Sequence, residues 1–231
     1  MKAQIVDSKK LSLGKKIGWG VMFLLALLVF LLVSPYLTLN PDVYFSEQKA
    51  VYMAHTAMLL MHIVGAMLAI VIGPIQFLPG IRKGRRLKFH RWLGRIYLLS
   101  VLVGGVGGLY MAQLAYGGFI ARFGFTVLAI LWLHSGFRAY RHIRNKEIER
   151  HREWMTRNYA LTFAGATLRL WLLISGLAGI DFLSAYMTVA WLSWIPNLLV
   201  AEWIIRRTRP AQRRSAVLAQ PEAPRTAQTE F

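Results

Sequence analysis

Apolar residues fall along this chain in blocks about as long as a bilayer core is thick, separated by short polar or charged stretches. A block of roughly 20 apolar residues crosses the hydrocarbon of a membrane as one α-helix, and six such blocks can be read. Span 1 runs from about Ile17 to Leu37, after Lys9, Lys10, Lys15 and Lys16. It is too long for the apolar core of a signal peptide and no small-residue cleavage site follows it, so it is expected to remain as an anchor. Asn40-Pro41-Asp42 marks a turn. Span 2 covers about Val51 to Phe77, with Pro74 near its end predicting a kink. Span 3 covers Arg91 to Leu114, and Tyr116-Gly117-Gly118 turns the chain into span 4, Phe119 to Tyr140. Span 5 covers Trp154 to Ser175, and span 6 Phe182 to Ile205, interrupted by Pro196. The pattern predicts an all-α polytopic membrane protein with one six-helix domain over residues 1–205. Residues 206–231, rich in Ala, Arg, Pro and Gln, predict a disordered basic cytoplasmic tail.

Composition narrows the classes that remain. Residues of the AVILMFWYC set make up 56% of the 231 residues and charged residues 16%, against about a quarter charged in soluble domains. Six spans leave no length for a soluble catalytic domain. The absence of cysteine excludes disulfides, iron–sulfur clusters, thiolate metal sites and covalently attached c-type haem. The net charge of +18 would suggest nucleic acid on a soluble fold, but here no soluble fold carries the basic residues and nucleic acid is not an expected partner. They collect at the N-terminus, in Arg82–Arg91, in Arg141–Arg152 and after Arg206. The loop after span 1 holds Asp42, Glu47 and Lys49, and the loop after span 5 only Asp181. Every segment that six alternating spans place on one side is the basic one. The positive-inside rule therefore predicts a bacterial inner-membrane protein with both termini cytoplasmic and anionic lipid headgroups beside the basic loops.

Helical spacing shows which polar residues share a face. Span 5 carries His151, Asn158, Thr162, Gly165 and Arg169 as one stripe; span 2 carries His55, His62, Gly65, Ala69, Gly73 and Gln76. Span 3 carries His90, Gly94, Tyr97, Gly104 and Gly108, and span 4 places Ser135 and Gly136 beside His134. Small residues at this spacing allow close helix contact in membranes. Spans 2–5 are thus expected to form a central four-helix bundle with spans 1 and 6 outside it. Trp92, Arg95 and Tyr97 on span 3 are matched in spacing by Trp154, Arg157 and Tyr159 on span 5, the pattern a duplicated hairpin (spans 2–3 and 4–5) would leave.

Candidate chemistry is sparse. Glu202 is the one acid inside an expected span, with Arg206 one turn on, which counts against a carboxylate proton relay. No nucleotide-binding loop, metalloprotease helix or nucleophile elbow is visible, so no enzyme class is indicated. Histidines are the main signal. His90 and His151 open spans 3 and 5 at matched depth with Arg91, Arg95, Arg152 and Arg157 around them, and His62 and His134 lie within spans. Histidine pairs on different helices of a four-helix membrane bundle can clamp b-type haem iron, with basic groups neutralising its propionates. His90 and His151 are the candidate iron ligands, and His62, His134, Arg95, Arg157 and Arg169 the further candidate cofactor-binding residues. The same cluster could hold a quinone or a phospholipid headgroup. Arg169, deep in span 5, is a costly charge at membrane depth and is expected to face inward and meet His62, Tyr110, Asp181 or a helix-end carbonyl.

The runs GPIQFLPGIRKGRRLKFHRWLGRIY (Gly73 to Tyr97), GGVGGLYMA (Gly104 to Ala112) and HREWMTRNYALTFAGATLRL (His151 to Leu170) resemble a family of predicted bacterial multi-pass membrane proteins defined by a domain of unknown function. The resemblance covers about Val51 to Val200 and implies a membrane protein without supplying an activity or ligand. By architecture the four-helix core is also similar to that of b561-type di-haem cytochromes. The far halves of spans 4 and 5 lack a histidine to partner His55, so that analogy implies at most a site at the basic end or mid-membrane. The sequence is therefore that expected of a haem- or quinone-associated electron-transfer protein with a redox partner, a small transporter or lipid-interacting protein with a cationic inner-leaflet site, or a non-catalytic subunit of a larger complex.

Overall fold

A computed structural model describes residues 13–218, without the side chains of Lys15 and 210–218. Among these residues the chain is helical, with six helices or helix pairs long and apolar enough to cross a membrane: Lys16–Thr38, Thr56–Gln76, Gly84–Gln113, Gly118–Arg144, Ile148–Leu177 and Phe182–Arg209. They match spans 1–6. The α-helices are α1 (Leu13–Val33), α2 (Lys49–Ala54), α3 (Thr56–Gln76), α4 (Leu87–Gln113), α5 (Gly118–Arg144), α6 (Ile148–Thr162), α7 (Ala164–Leu177), α8 (Phe182–Leu192) and α9 (Ile195–Leu218). Three spans reach further into the basic segments than hydropathy suggests, because Arg, Lys and Glu form helix as readily as they face water. α9 likewise continues past Ile205 through the first part of the expected tail. The tail beyond Leu218, and Lys9 and Lys10, lie outside the described residues.

The junctions α3–α4 and α5–α6 and the end of α9 share one end of the bundle, here called the basic end. The segments 34–48, 114–117 and 178–181 share the far end. α3 packs most extensively on α4, α4 on α5, and α5 on α6, with α6 closing the ring against α3. Spans 2–5 therefore form the expected four-helix core with spans 3 and 5 on a diagonal. α1 lies outside against α3 and α7, while α8 and α9 lie against α5, α7 and α6.

Glycine sets the tightest seam. A Cβ on Gly65 would fall 2.5 Å from the Gly104 Cα and 2.6 Å from the Ser100 carbonyl oxygen, so spans 2 and 3 meet backbone to backbone. Among membrane helices such contact gains dispersion energy that lipid cannot supply as well.

Gly73-Pro74 joins span 2 to span 5. Proline has no N–H, so the carbonyl four residues earlier, that of Ile70, loses its intrahelical donor. The Tyr159 hydroxyl supplies the replacement, donating to the Ile70 oxygen at 3.1 Å, and its ring occupies the space that a side chain at Gly73 would fill. α3 ends two residues after Pro74. At that end Arg82 donates to the Gln76 carbonyl at 3.2 Å and to the Phe77 carbonyl, a basic cap on a helix C-terminus. Burial there pushes the guanidinium below its ordinary range.

Spans 5 and 6 are both broken at mid-length, side by side. Span 5 breaks at Phe163, between α6 and α7, and span 6 at Ser193-Trp194, with Pro196 second in α9. The Asn197 amide donates to the Ala160 carbonyl at 3.1 Å, to Thr167 Oγ1 at 3.0 Å and to the Ser193 carbonyl at 2.9 Å, and Thr167 donates to the Ser193 carbonyl. Irregular backbone at membrane depth is tolerated where protein groups satisfy it. The consequence is a change of partners: α6 packs on α3, α5 and α9, whereas α7 packs on α8 and α1.

The orphan-carbonyl account makes a specific prediction. Tyr159→Phe should destabilise the protein by about 1–3 kcal/mol, the cost of an unsatisfied buried acceptor. Pro74→Ala returns the N–H to Ile70, so the Tyr159→Phe, Pro74→Ala double variant should melt above Tyr159→Phe alone. Thermal unfolding of the three variants in one detergent decides it; equal loss in both backgrounds would sink the account.

Candidate functional site

The splaying of α7 from α3 leaves a cavity of about 470 Å³ between the spans, reaching from the far end to mid-bundle. Its size is within the usual range of small-molecule sites. Its walls are apolar over most of their depth, with Val29, Leu59, Ile63, Met67, Met111 and Leu128 among them. The floor is a polar network. Tyr97, fully buried, donates to Asn158 Oδ1 at 2.7 Å and lies 3.0 Å from Thr162 Oγ1. The Trp132 indole donates to Thr162 Oγ1 at 2.8 Å, and the Asn158 amide donates to the Trp132 carbonyl at 2.8 Å and Ser135 Oγ at 2.9 Å. Spans 3, 4 and 5 are tied there across the diagonal, and the bundle is closed below.

Polar groups gather at the cavity's other end. Arg169 lines it, and its Nη1 donates to the Gly165 carbonyl one turn back at 2.6 Å. Among the described residues no carboxylate pairs with it. Asp181 caps α8 instead, accepting from the Ser184 N–H at 3.0 Å. Tyr36, Tyr52 and Tyr186 line the same region, with Tyr36 and Tyr52 the electrostatic neighbours of the guanidinium. The Tyr36 oxygen accepts from the Phe45 N–H at 3.2 Å, leaving its own hydrogen free. His62 also lines the cavity. Its Nδ1 lies 2.9 Å from the Gly104 carbonyl; a carbonyl only accepts, so that nitrogen carries the hydrogen and Nε2 keeps its lone pair.

The other candidate residues are placed differently. Arg95 and Trp92 are exposed on the outer face of α4, so of the first spacing motif only Tyr97 enters the bundle. His134 is also exposed and meets Trp154 edge-on at 5.7 Å between centroids. It therefore does not face His62, and the structure does not bring that pair together. Helical phase explains this: Ser135 and Gly136 take the inward positions of span 4. Arg157 is held in a two-bonded ion pair with Glu202, at 2.5 and 3.0 Å, and stacks on Trp154 with its guanidinium carbon 4.8 Å from the ring centre. Its charge is compensated, and Glu202 takes Arg157 where the sequence suggested Arg206. His151 donates from Nδ1 to the Ala139 carbonyl at 2.8 Å. His90 is half-buried, its Nδ1 without a protein partner. Both stand at the basic end, outside the cavity lining. Between α5 and α6, Glu147 accepts from His142 at 2.9 Å, and that bond holds its carboxyl below the usual range. Among the described residues no group of three or more His, Cys, Asp or Glu side chains converges.

Sequence reasoning singled out Arg169, His62, Thr162, Asn158 and Gly165, which the structure gathers around one cavity and its floor. It did not single out Tyr36, Tyr52 and Tyr186. Tyrosines near span ends read as interfacial anchors, and no spacing rule connects residues from three separate segments.

These features define a polytopic α-helical membrane protein with an inter-helix cavity. The family described as "Predicted membrane protein (DUF2306)" matches residues 59–205, well over half of the chain, and the protein belongs to that family. The match begins inside span 2 and runs through spans 3–5 and most of span 6. Comparison with curated proteins and with solved structures finds no significant match, and the analogy to b561-type cytochromes draws no support from these comparisons.

The floor network should behave as a coupled unit. Tyr97→Phe and Asn158→Leu should each destabilise the protein. Their double variant should fall short of the sum by about 0.6 kcal/mol, the average measured for hydrogen bonds between membrane helices, and by no more than about 1.7 kcal/mol. Strict additivity in a thermal or denaturant unfolding cycle would mean that the diagonal contact contributes nothing.

Proposed function

We propose that the protein binds a membrane amphiphile, a molecule with a polar head and an apolar tail, in the cavity between spans 1–6. The carrying observation is the cavity's two-part character, apolar over most of its depth and polar at the Arg169 end. A part-buried guanidinium that has no counter-ion among the described residues is expensive in a membrane and by default marks a functional site. A bound head that supplies acceptors would lower that cost, while the tail covers the apolar walls. This is the lipid-interacting or transporting reading with its site moved to the far end; no catalytic step is assigned. Mass spectrometry of protein purified in maltoside detergent should find a co-purified amphiphile. Leu168→Trp, which puts an indole into the cavity wall, should fold normally and lose most of it. Wild-type protein that carries no amphiphile, and takes none up when offered membrane lipid extract, would overturn the reading.

A quinone would satisfy the same two-part cavity and keeps the electron-transfer reading in play. Ultraviolet absorbance of the extracted ligand separates it from a lipid. Haem between His90 and His151 rests on a narrower observation: a histidine Nδ1–H bonded to a carbonyl, as His151 has, is how proteins orient imidazole ligands. A Soret band in protein expressed with ample haem, lost in His151→Ala, would favour it.

We further propose a bacterial inner-membrane location with the basic end, and so both termini, in the cytoplasm. Reporter fusions in 83–88 should give cytoplasmic signal, and fusions after Gly117 and after Asp181 the opposite. A reversed signal at any of the three would overturn the orientation.

A further inference from the structure

We infer that the head bound at the Arg169 end of the cavity is a phosphate ester, carried by a lipid; the inference rests on the amphiphile reading above. One Arg169 nitrogen is used by the Gly165 carbonyl, which leaves Nε and Nη2 as a fork of N–H groups with no acceptor among the described residues. Among the described residues the Tyr52 and Tyr186 hydroxyls have no protein partner, and that of Tyr36 only accepts; Tyr36 and Tyr52 are electrostatic neighbours of the guanidinium, and Tyr186 lines the same cavity. No Asp or Glu lines the cavity. The head site is thus donor-rich and carries positive charge.

Such a site sorts ligand heads by their oxygens. A sugar or other neutral polyol can use the tyrosine oxygens and His62 Nε2 as acceptors but brings no charge to the guanidinium. A quinone carbonyl offers one oxygen and no charge. A carboxylate offers two oxygens, both engaged by the guanidinium fork, so any tyrosine must share an oxygen that the fork already holds. A phosphate ester offers two or three charged oxygens, enough to take the fork bidentately and still accept from the tyrosines. The apolar walls leading away from the head hold the chain, and span 1, one of those walls through Val29 and Val33, is the least buried span and the natural side for a chain to pass into lipid.

Titration calorimetry of the full chain in maltoside micelles tests this with three probes: hexadecyl phosphate, hexadecanol and inorganic phosphate. Hexadecyl phosphate should bind at least about tenfold more tightly than hexadecanol. Arg169→Leu should lower its affinity about 10- to 100-fold, the loss of charged hydrogen bonds, and lower that for hexadecanol far less. Arg169→Lys should retain part of the preference, which shows that a folded variant is being read, and Tyr52→Phe should weaken the phosphate probe alone. Equal binding of phosphate and alcohol, insensitive to Arg169, would overturn the phosphate head and leave the amphiphile reading standing. Inorganic phosphate binding as tightly as hexadecyl phosphate would keep the anion site but overturn its lipid source. Failure of all three probes to bind would overturn both readings.

Discussion

One proline leaves the Ile70 carbonyl without its helical donor, and much of the architecture follows from how that acceptor is satisfied. In water the carbonyl would simply hydrate. At membrane depth it needs a protein donor, and Tyr159 provides it. This fixes α6 against α3 at the height of Gly73 and so closes the ring of spans 2–5 at the basic half. Tyr97, at the matching position of span 3, then reaches Asn158 and Thr162 across the diagonal, and the interior at that level is filled by side chains. The two tyrosines of the spacing motif thus carry the closure, while the Trp and Arg that accompany them differ: Trp92 and Arg95 are exposed, and Trp154 and Arg157 are packed.

Closure at one half makes opening at the other possible. Beyond Phe163 span 5 leaves α3 and leans on α8 and α1, and the Asn197 and Thr167 bonds secure the break by joining it to the break in span 6. Two helices interrupted at one height, with their free carbonyls satisfied by each other's side chains, form a stable irregularity. The cavity occupies the volume the departing helix no longer fills. Its polar end and its floor are both carried by span 5, through Arg169 and Thr162, one on each side of the break.

Three charged arrangements show how the chain uses arginine where water is scarce. Arg82 caps helix-end carbonyls, Arg157 is neutralised by Glu202 and covered by Trp154, and Arg169, among the described residues, donates only to a carbonyl of its own helix. The first two stabilise structure. The third leaves donors unused in a tyrosine-lined space large enough for a ligand, and the functional reading stands on that contrast.

Six spans, their order, the basic and non-basic ends and the four-helix core were legible in the sequence, because the length of an apolar block, the placement of charge and the 3.6-residue period are local properties. The inward stripe of span 5 was legible for the same reason: Asn158, Thr162, Gly165 and Arg169 share a face whatever they meet there. What those residues meet was decided only by tertiary structure. His134 turned outward because Ser135 and Gly136 took the interior of span 4, and Arg157 found Glu202 on another span 45 residues away. The cavity itself has no sequence signature, since it arises from two helix breaks that coincide in height. Its tyrosines come from three segments that touch only after the bundle has folded, and sequence spacing carries no information about contacts of that kind.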